Sequence, residues 1–422
     1  MKSKAIALGG LLAAAVLGSQ ASAETLKLWT FLNPNGKNGR EVALKQLIDR
    51  YQAANPSVKI QVEPQVWSEL TKKFVLGANL GKAPDIVFTH GNNLRLLAES
   101  GAAADLDALI VKKWSAADAK DFLYDGLLQK ARVNGKLMGV PVFPFATVLY
   151  YRKDLLEKAG KSAADLKTWD GFVAAMKAVG SETVSPMTIP LSPDRTTQTP
   201  FLTRLLDRQG RVFDDKCKPM LATDAAAEAL KFQVSLFKDA KLASREDISR
   251  NLDDSWDLFL AGRAAAILNA STRAGQVAKK ASWNAAGLGI GALPGISAGK
   301  AGPAVANAWF ISVWEKSPNR AAAAAFVDYL VGRDGAQAWA LIGGQPPLRA
   351  AVLNSAELAA PKYDLVRQIG SAISAATADL PAECRADRVY ADLNEATQAV
   401  LTQGVPVAKA LADAQAKAAA RK

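Results

Sequence analysis

The sequence predicts an α/β protein built on doubly wound parallel sheets, and three observations carry that prediction. The amino-terminal third alternates strand and helix periodicities. Breakers and caps fall between the alternating segments. The chain is also too long for one ordinary core and suits two or three domains. The full chain has 422 residues with a net charge of +12; half of its residues are hydrophobic.

Residues 1–23 read as a secretory signal: Lys2 and Lys4 precede an apolar stretch from Ala5 to Gly18, and Ala21-Ser22-Ala23 is an A-x-A cleavage site. The apolar run is shorter than the roughly 20 residues a bilayer core requires. Cleavage after Ala23 would leave a mature chain starting at Glu24, exported and without a lipid anchor, because no cysteine lies near the cut.

The elements then follow in order. "LKLWTF" (26–31) is a strand, and Leu44, Leu47, Ile48 and Tyr51 form the stripe of an amphipathic helix stopped by Asn55-Pro56. Val58, Ile60 and Val62 alternate as a second strand. Ser68 can cap a helix running toward Asn79, ended by Gly81. "PDIVF" (84–88) is a short buried strand, followed by a helix up to Gly101.

Further along, 135–151 is strand-like but broken by Pro141 and Pro144. Trp169 opens a helix to about Val179, and helices follow around 200–208 and 223–239. Strands are expected within 264–272, 288–295 and 304–314. Ser317-Pro318 starts a helix, Asp334 caps the next, and 408–420 reads as a surface helix.

Open parallel sheets bind ligands beyond the carboxyl ends of their strands, where the loops diverge. The stretches at that edge, "WTFLNPNG" (29–36), "EPQVW" (63–67) and "THGNN" (89–93), carry aromatic, amide and hydroxyl groups suited to a polyhydroxylated ligand. Other chemistries fare worse. No basic block with interleaved aromatics supports nucleic-acid binding. The two cysteines, Cys217 and Cys384, and the single histidine, His90, make a poor zinc set. An exported chain permits a Cys217–Cys384 disulfide, which sequence leaves open. A glycoside hydrolase needs two flanking carboxylates, and Asp194 has no convincing partner. No cofactor is implied.

Several segments together resemble the extracellular solute-binding proteins of ABC importers, in the large sugar-binding class that includes maltose-binding protein. They are "APDIVF" (83–88), "AESGAAADL" (98–106), "NGKLMGVPV" leading into "LYYRKDLLEKAG" (149–160), "TWDGF" (168–172), "AGRAAAILNAS" (261–271), "SPNRAAAAAFVDYLVGRDG" (317–335) and "GGQPPLR" (343–349), in the family's order. Tyr151 stands where the family has the tyrosine of a Y-N-K-D segment, with Arg152 replacing the asparagine. Adjacent tyrosines also grip metal in ferric-ion binders, but no carboxylate or histidine set surrounds Tyr150 and Tyr151, so one is expected in the core and one facing the cleft.

The resemblance implies two doubly wound lobes joined by a hinge crossed more than once, near 143–145, 303–306 and 350. The amino-terminal lobe would comprise 24–143 plus 305–350, and the other lobe 144–304 plus 351–422. It implies a periplasmic, monomeric, non-enzymatic clamp that captures a sugar or polyol and delivers it to membrane permease subunits. Aligned with the family's cleft, the candidate ligand residues are Asn33, Asn35, Trp67, Asn92, Phe145, Asp194, Arg195, Ser271, Thr272, Trp309 and Arg349. Asn92 falls where sugar binders often place a carboxylate, Thr272 where the maltose binder stacks a tryptophan, and Phe145 where it has a glutamate. These departures argue against maltose. An anionic ligand is the nearest alternative, with Arg195, Arg273 and Arg349 as its counter-charges.

Overall fold

In a computed structural model, the structure describes residues 24–192, 199–304, 306–374, 384 and 386–420. The signal segment and the candidates Asp194 and Arg195 lie outside the described residues.

Nine strands are described: β1 (Glu24–Thr30), β2 (Val58–Pro64), β3 (Ile86–His90), β4 (Arg132–Val133), β5 (Lys136–Leu137), β6 (Val140–Arg152), β7 (Ala266–Ala270), β8 (Leu288–Gly291) and β9 (Ala306–Val313). β4 and β5 form a small hairpin. The rest run in the order β2-β1-β3-β9-β6-β7, with β8 also paired to β6. β1 is parallel to β2 and β3, whereas β9 enters antiparallel between β3 and β6.

The strand β6 joins two lobes by changing partners along its length. Val140–Ala146 pairs with β9, and from Thr147 onward it pairs with β7 and β8. Pro141 and Pro144 do not break it, contrary to the sequence expectation. A register shift between Pro141 and Phe143 absorbs the missing donors, as bulges commonly do.

The first lobe has one core, from Leu26, Leu28, Ile86 and Phe88 to Phe326, Trp339 and Leu348. In the second, the sheet buries a different cluster on each face. Leu149 and Tyr151 pack with Trp169 and Phe172 on one side, and Val148 and Tyr150 with Trp256 and Phe259 on the other. This corrects the tyrosine reading: both rings are buried on opposite sheet faces, and neither faces the cleft. The Tyr150 hydroxyl donates to the Ala270 carbonyl at 2.9 Å. A side chain at Gly289 would collide with the Tyr151 ring, so glycine there is a packing requirement.

A fourth, helical core forms between Thr199–Gln209, Asp224–Lys238, Ala386–Thr402 and Val407–Ala420. The last of these is not a plain surface helix, since it buries Ala410, Leu411 and Ala414 against the bundle. The Cys217–Cys384 disulfide ties this bundle together across 167 residues.

Local signals mostly placed the helices. Trp169–Val179 is capped by the Thr168 hydroxyl, which accepts from the Gly171 N–H. Two caps differ. Helix Leu70–Asn79 starts after Glu69, without a side-chain cap from Ser68. Ser317 instead donates its hydroxyl to Asp85 at 2.5 Å, and helix Arg320–Val331 starts after Asn319. Asp85 also accepts the Lys27 N–H, so the aspartate of "APDIVF" pins β1 to the turn before that helix. Asp334 lies in the first turn of Arg333–Leu341, behind Gly332 at the cap.

Candidate ligand-binding cleft

The loops leaving β1, β2 and β3 open at one edge of the first lobe, and aromatic rings converge there on Trp309 of β9. The Phe31 ring centroid lies 4.4 Å from that of Trp309, His90 5.3 Å and Trp67 6.4 Å, while Phe145 is 5.6 Å from His90. The strands dictate this gathering: His90 is registered opposite Trp309 across β3 and β9, and Phe145 opposite Asn307 across β6 and β9. Phe31, Trp67 and Phe145 are half-buried, but Trp309 is only 7% exposed and forms the floor.

Polar groups border the rings. Asn307 donates its side-chain N–H to Asn92 Oδ1 at 2.8 Å, and Gly91 permits that approach because a Cβ there would collide with Asn307 Oδ1. Ser271 and Thr272, directly after β7, are buried where β6 changes partners. The Ser271 hydroxyl accepts the Ala146 N–H at 3.4 Å.

The second lobe faces this edge with helix Leu252–Leu260 and the turn Ser271–Arg273. The Trp67 indole donates to Asp253 Oδ2 at 2.9 Å, and Asp253 Oδ1 accepts from Arg273. Lys279 reaches the Lys37 carbonyl at 3.4 Å. The lobes therefore touch directly. Burial pushes the Asp253 carboxyl up, but Arg273, the Trp67 indole and Lys280 outweigh it and hold the group below its ordinary range. Arg40 lies over Phe31 and Phe143, its guanidinium 5.2 and 5.8 Å from the ring centroids. Enclosure, with Arg273 adding to it and Glu41 opposing, pushes the Arg40 pKa down to about 10, so it stays charged at neutral pH.

The structure thus brings Trp67, Asn92, Phe145 and Trp309 together at one edge, while Ser271 and Thr272 are buried in the turn after β7, Ser271 beside Ala146. Asn33 and Asn35 are exposed and shape the turn after β1, with Asn33 Oδ1 accepting the Asn35 N–H at 3.0 Å. Arg349 is corrected. It is 3% exposed, donates to the carbonyls of Val331 (2.9 Å) and Asp118 (2.7 Å), and lies against the rings of Trp114 and Phe122. Its guanidinium is used inside the first lobe. Sequence reasoning missed Phe31, Arg40, Asp253 and Asn307. Phe31 and Asn307 sit beside predicted positions at strand ends and could have been found there. Arg40 and Asp253 carry no local signal, since charged residues in a helix's first turn read as solvated. Among the described residues, no three His, Cys, Asp or Glu side chains group as a metal site, and no helix is long and apolar enough to cross a membrane.

This architecture is that of known binding proteins. Maltose-bound MalE3 of T. maritima superposes with a TM-score of 0.78 at 23% identity, covering 94% of this chain and 99% of that one. The GacH receptor of Streptomyces glaucescens GLA.O, solved unliganded and with acarbose, gives 0.79 at 22% identity over 94% and 97% of the two chains. The arabinooligosaccharide-binding protein of Bacillus subtilis (strain 168) is 25% identical over 257 residues, 59% of this chain and 56% of that protein, so the match spans little more than half of that relative. The family described as bacterial extracellular solute-binding protein, a family of binding proteins and not enzymes, matches residues 37–337. The chain belongs to the bacterial extracellular solute-binding proteins.

Proposed function

We propose that this protein is the capture component of an ABC importer: its two lobes close around a carbohydrate and present it, unaltered, to a membrane permease. The observation that carries the reading is the convergence of Phe31, Trp67, His90, Phe145 and Trp309, bordered by the Asn92–Asn307 amide pair, at the edge where two lobes meet. Flat rings cover the C–H faces of a sugar with little loss of rotamer freedom, and amides and hydroxyls satisfy its rim. The names of the relatives support the same class of ligand.

We divide the chain into 24–143 plus 305–350 and 144–304 plus 351–422. The partner change of β6 after Ala146 supports the first crossing. Within the cleft we assign Trp67, Asn92, Phe145, Ser271, Thr272 and Trp309 to the ligand, with Asn33 and Asn35 at the rim, and Asp194 and Arg195 on the sequence resemblance. We place the clamp in the periplasm, working as a monomer after cleavage behind Ala23. A ligand that binds only the native protein raises its melting temperature. A thermal-shift panel of sugars, oligosaccharides and polyols should therefore contain stabilising members. A panel without one, beside a stabilising amino acid or peptide, would replace the reading.

A further inference from the structure

Asp253 carries a carboxylate that its own helix does not use. The cap of helix Leu252–Leu260 is Asn251, whose Oδ1 accepts the Asp254 N–H at 2.8 Å. The Asp253 side chain is about half exposed, and each of its oxygens is engaged from a different lobe. Oδ1 accepts from Arg273 of its own lobe, which lies over the buried Trp256 ring, 5.8 Å from the centroid. Oδ2 accepts the Trp67 indole N–H of the other lobe at 2.9 Å. An indole has a single donor, and Asp253 takes it. On its other contact the Trp67 ring meets Trp309 edge to face, with centroids 6.4 Å apart. Lys279 adds a weaker tether between the lobes, reaching the Lys37 carbonyl at 3.4 Å.

We propose that Asp253 is a positioning residue of the clamp: from the second lobe it seats the Trp67 ring of the first, and so favours the closed form before any ligand arrives. This rests on the clamp reading above and adds the contact that sets its balance between open and closed. The Trp67–Asp253 bond exists only where the lobes meet, so its free energy belongs to the closed form alone. Arg273 orients the carboxylate from its own side, and an ionised acceptor makes a stronger bond than a neutral one. With its N–H on Asp253 and its ring against Trp309, Trp67 is fixed between the two lobes. A bias toward the closed form raises the apparent affinity of every ligand that needs closure, and by one common factor. A side chain that touched the ligand would act differently, helping some sugars and not others.

The test has a ligand-free arm and a ligand arm. In the first, proton–nitrogen correlation NMR of the ligand-free mature protein records the indole N–H signals of its nine tryptophans, and W67F identifies the Trp67 signal by its loss. D253A should move that signal. The indoles of Trp29 and Trp114, bonded to Glu63 and Asp328, should stay in place and report an intact fold. In the second arm, maltose, lactose, arabinotriose and D-mannitol are titrated calorimetrically. D253A should weaken every binder by the same factor, about three- to tenfold. D253N keeps an acceptor oxygen for the indole and should lose less. In the W67F background, D253A should change affinity by less than about twofold, because the bond is already gone. A Trp67 signal indifferent to D253A, a loss confined to one sugar, or an undiminished loss in the W67F background overturns the proposal and leaves the clamp reading intact. A Trp67 signal that moves, with no binding by any member of the panel, supports the seating contact and counts against the carbohydrate reading.

Discussion

The Trp67 indole N–H donates to Asp253 Oδ2 at 2.9 Å, and this one bond joins the loop after β2 to helix Leu252–Leu260 across the cleft, between residues 186 apart in sequence. Asp253 is simultaneously the partner of Arg273. Trp67 also meets Trp309 edge to face. The same side chain thus belongs to the aromatic cluster of one lobe and bonds to a helix of the other.

Trp67→Phe keeps the ring and removes the donor. A bond to a carboxylate at a half-exposed site is worth about 1 kcal/mol, so ligand affinity should fall about fivefold while the melting temperature of the ligand-free protein barely moves. Isothermal titration checks the first part, and thermal unfolding the second. A large drop in ligand-free stability would instead make Trp67 a core residue.

The pH dependence of the Asp253–Arg273 pair has a definite sign. The Asp253 carboxyl is depressed in the native state, so its contribution is complete above the unfolded value of about 3.9 and is lost as pH falls through the lower native value. Subtracting the melting profile of Asp253→Asn from that of the wild type should therefore give a flat difference from about pH 7 to 5 and a shrinking one below about pH 4. A difference that shrinks near neutrality would contradict the assignment.

Arg349 provides the opposite test, because its guanidinium is spent inside the first lobe on Val331 and Asp118 and on the rings of Trp114 and Phe122. Arg349→Ala should destabilise the protein by about 2–4 kcal/mol, by orphaning two carbonyls and removing the ring contacts. The dissociation constant of the folded variant should stay within about twofold of wild type. Denaturant unfolding and titration measure the two effects separately.

The Cys217–Cys384 disulfide closes a long loop over the helical bundle. Cys217→Ser with Cys384→Ser should lower stability by about 2–5 kcal/mol, chiefly through the entropy of the unfolded chain. Both cysteines pack in the bundle core of Leu205, Leu230 and Leu393, away from the aromatic cleft. Ligand affinity at temperatures where the variant is folded should accordingly be unchanged, as calorimetry can show.

What could be read from sequence follows the range of the forces involved. The strands β1 to β3 and helices such as Trp169–Val179 announce themselves through alternation, helical stripes and caps, which act within a few residues. The continuity of β6 did not, because Pro141 and Pro144 argue locally for a break, and only pairing with β9 supplies the bulge that accommodates them. Strand-end position identified Trp67, Asn92, Phe145 and Trp309 as cleft candidates, and the structure brings them together. The same reasoning failed for Arg349, since nothing nearby in sequence reveals the carbonyl of Asp118, 231 residues away. Arg40 was invisible for a related reason. Its character comes from Phe143 and Arg273, both remote in sequence, and not from the helix turn that carries it.

The most direct test of the clamp itself is small-angle X-ray scattering of the mature protein, with and without a carbohydrate found to raise its melting temperature. Closure of two lobes about β6 predicts a smaller radius of gyration with ligand than without, and Trp67→Phe should need more ligand to reach it. A radius of gyration identical in both conditions, at saturating ligand, would contradict the account.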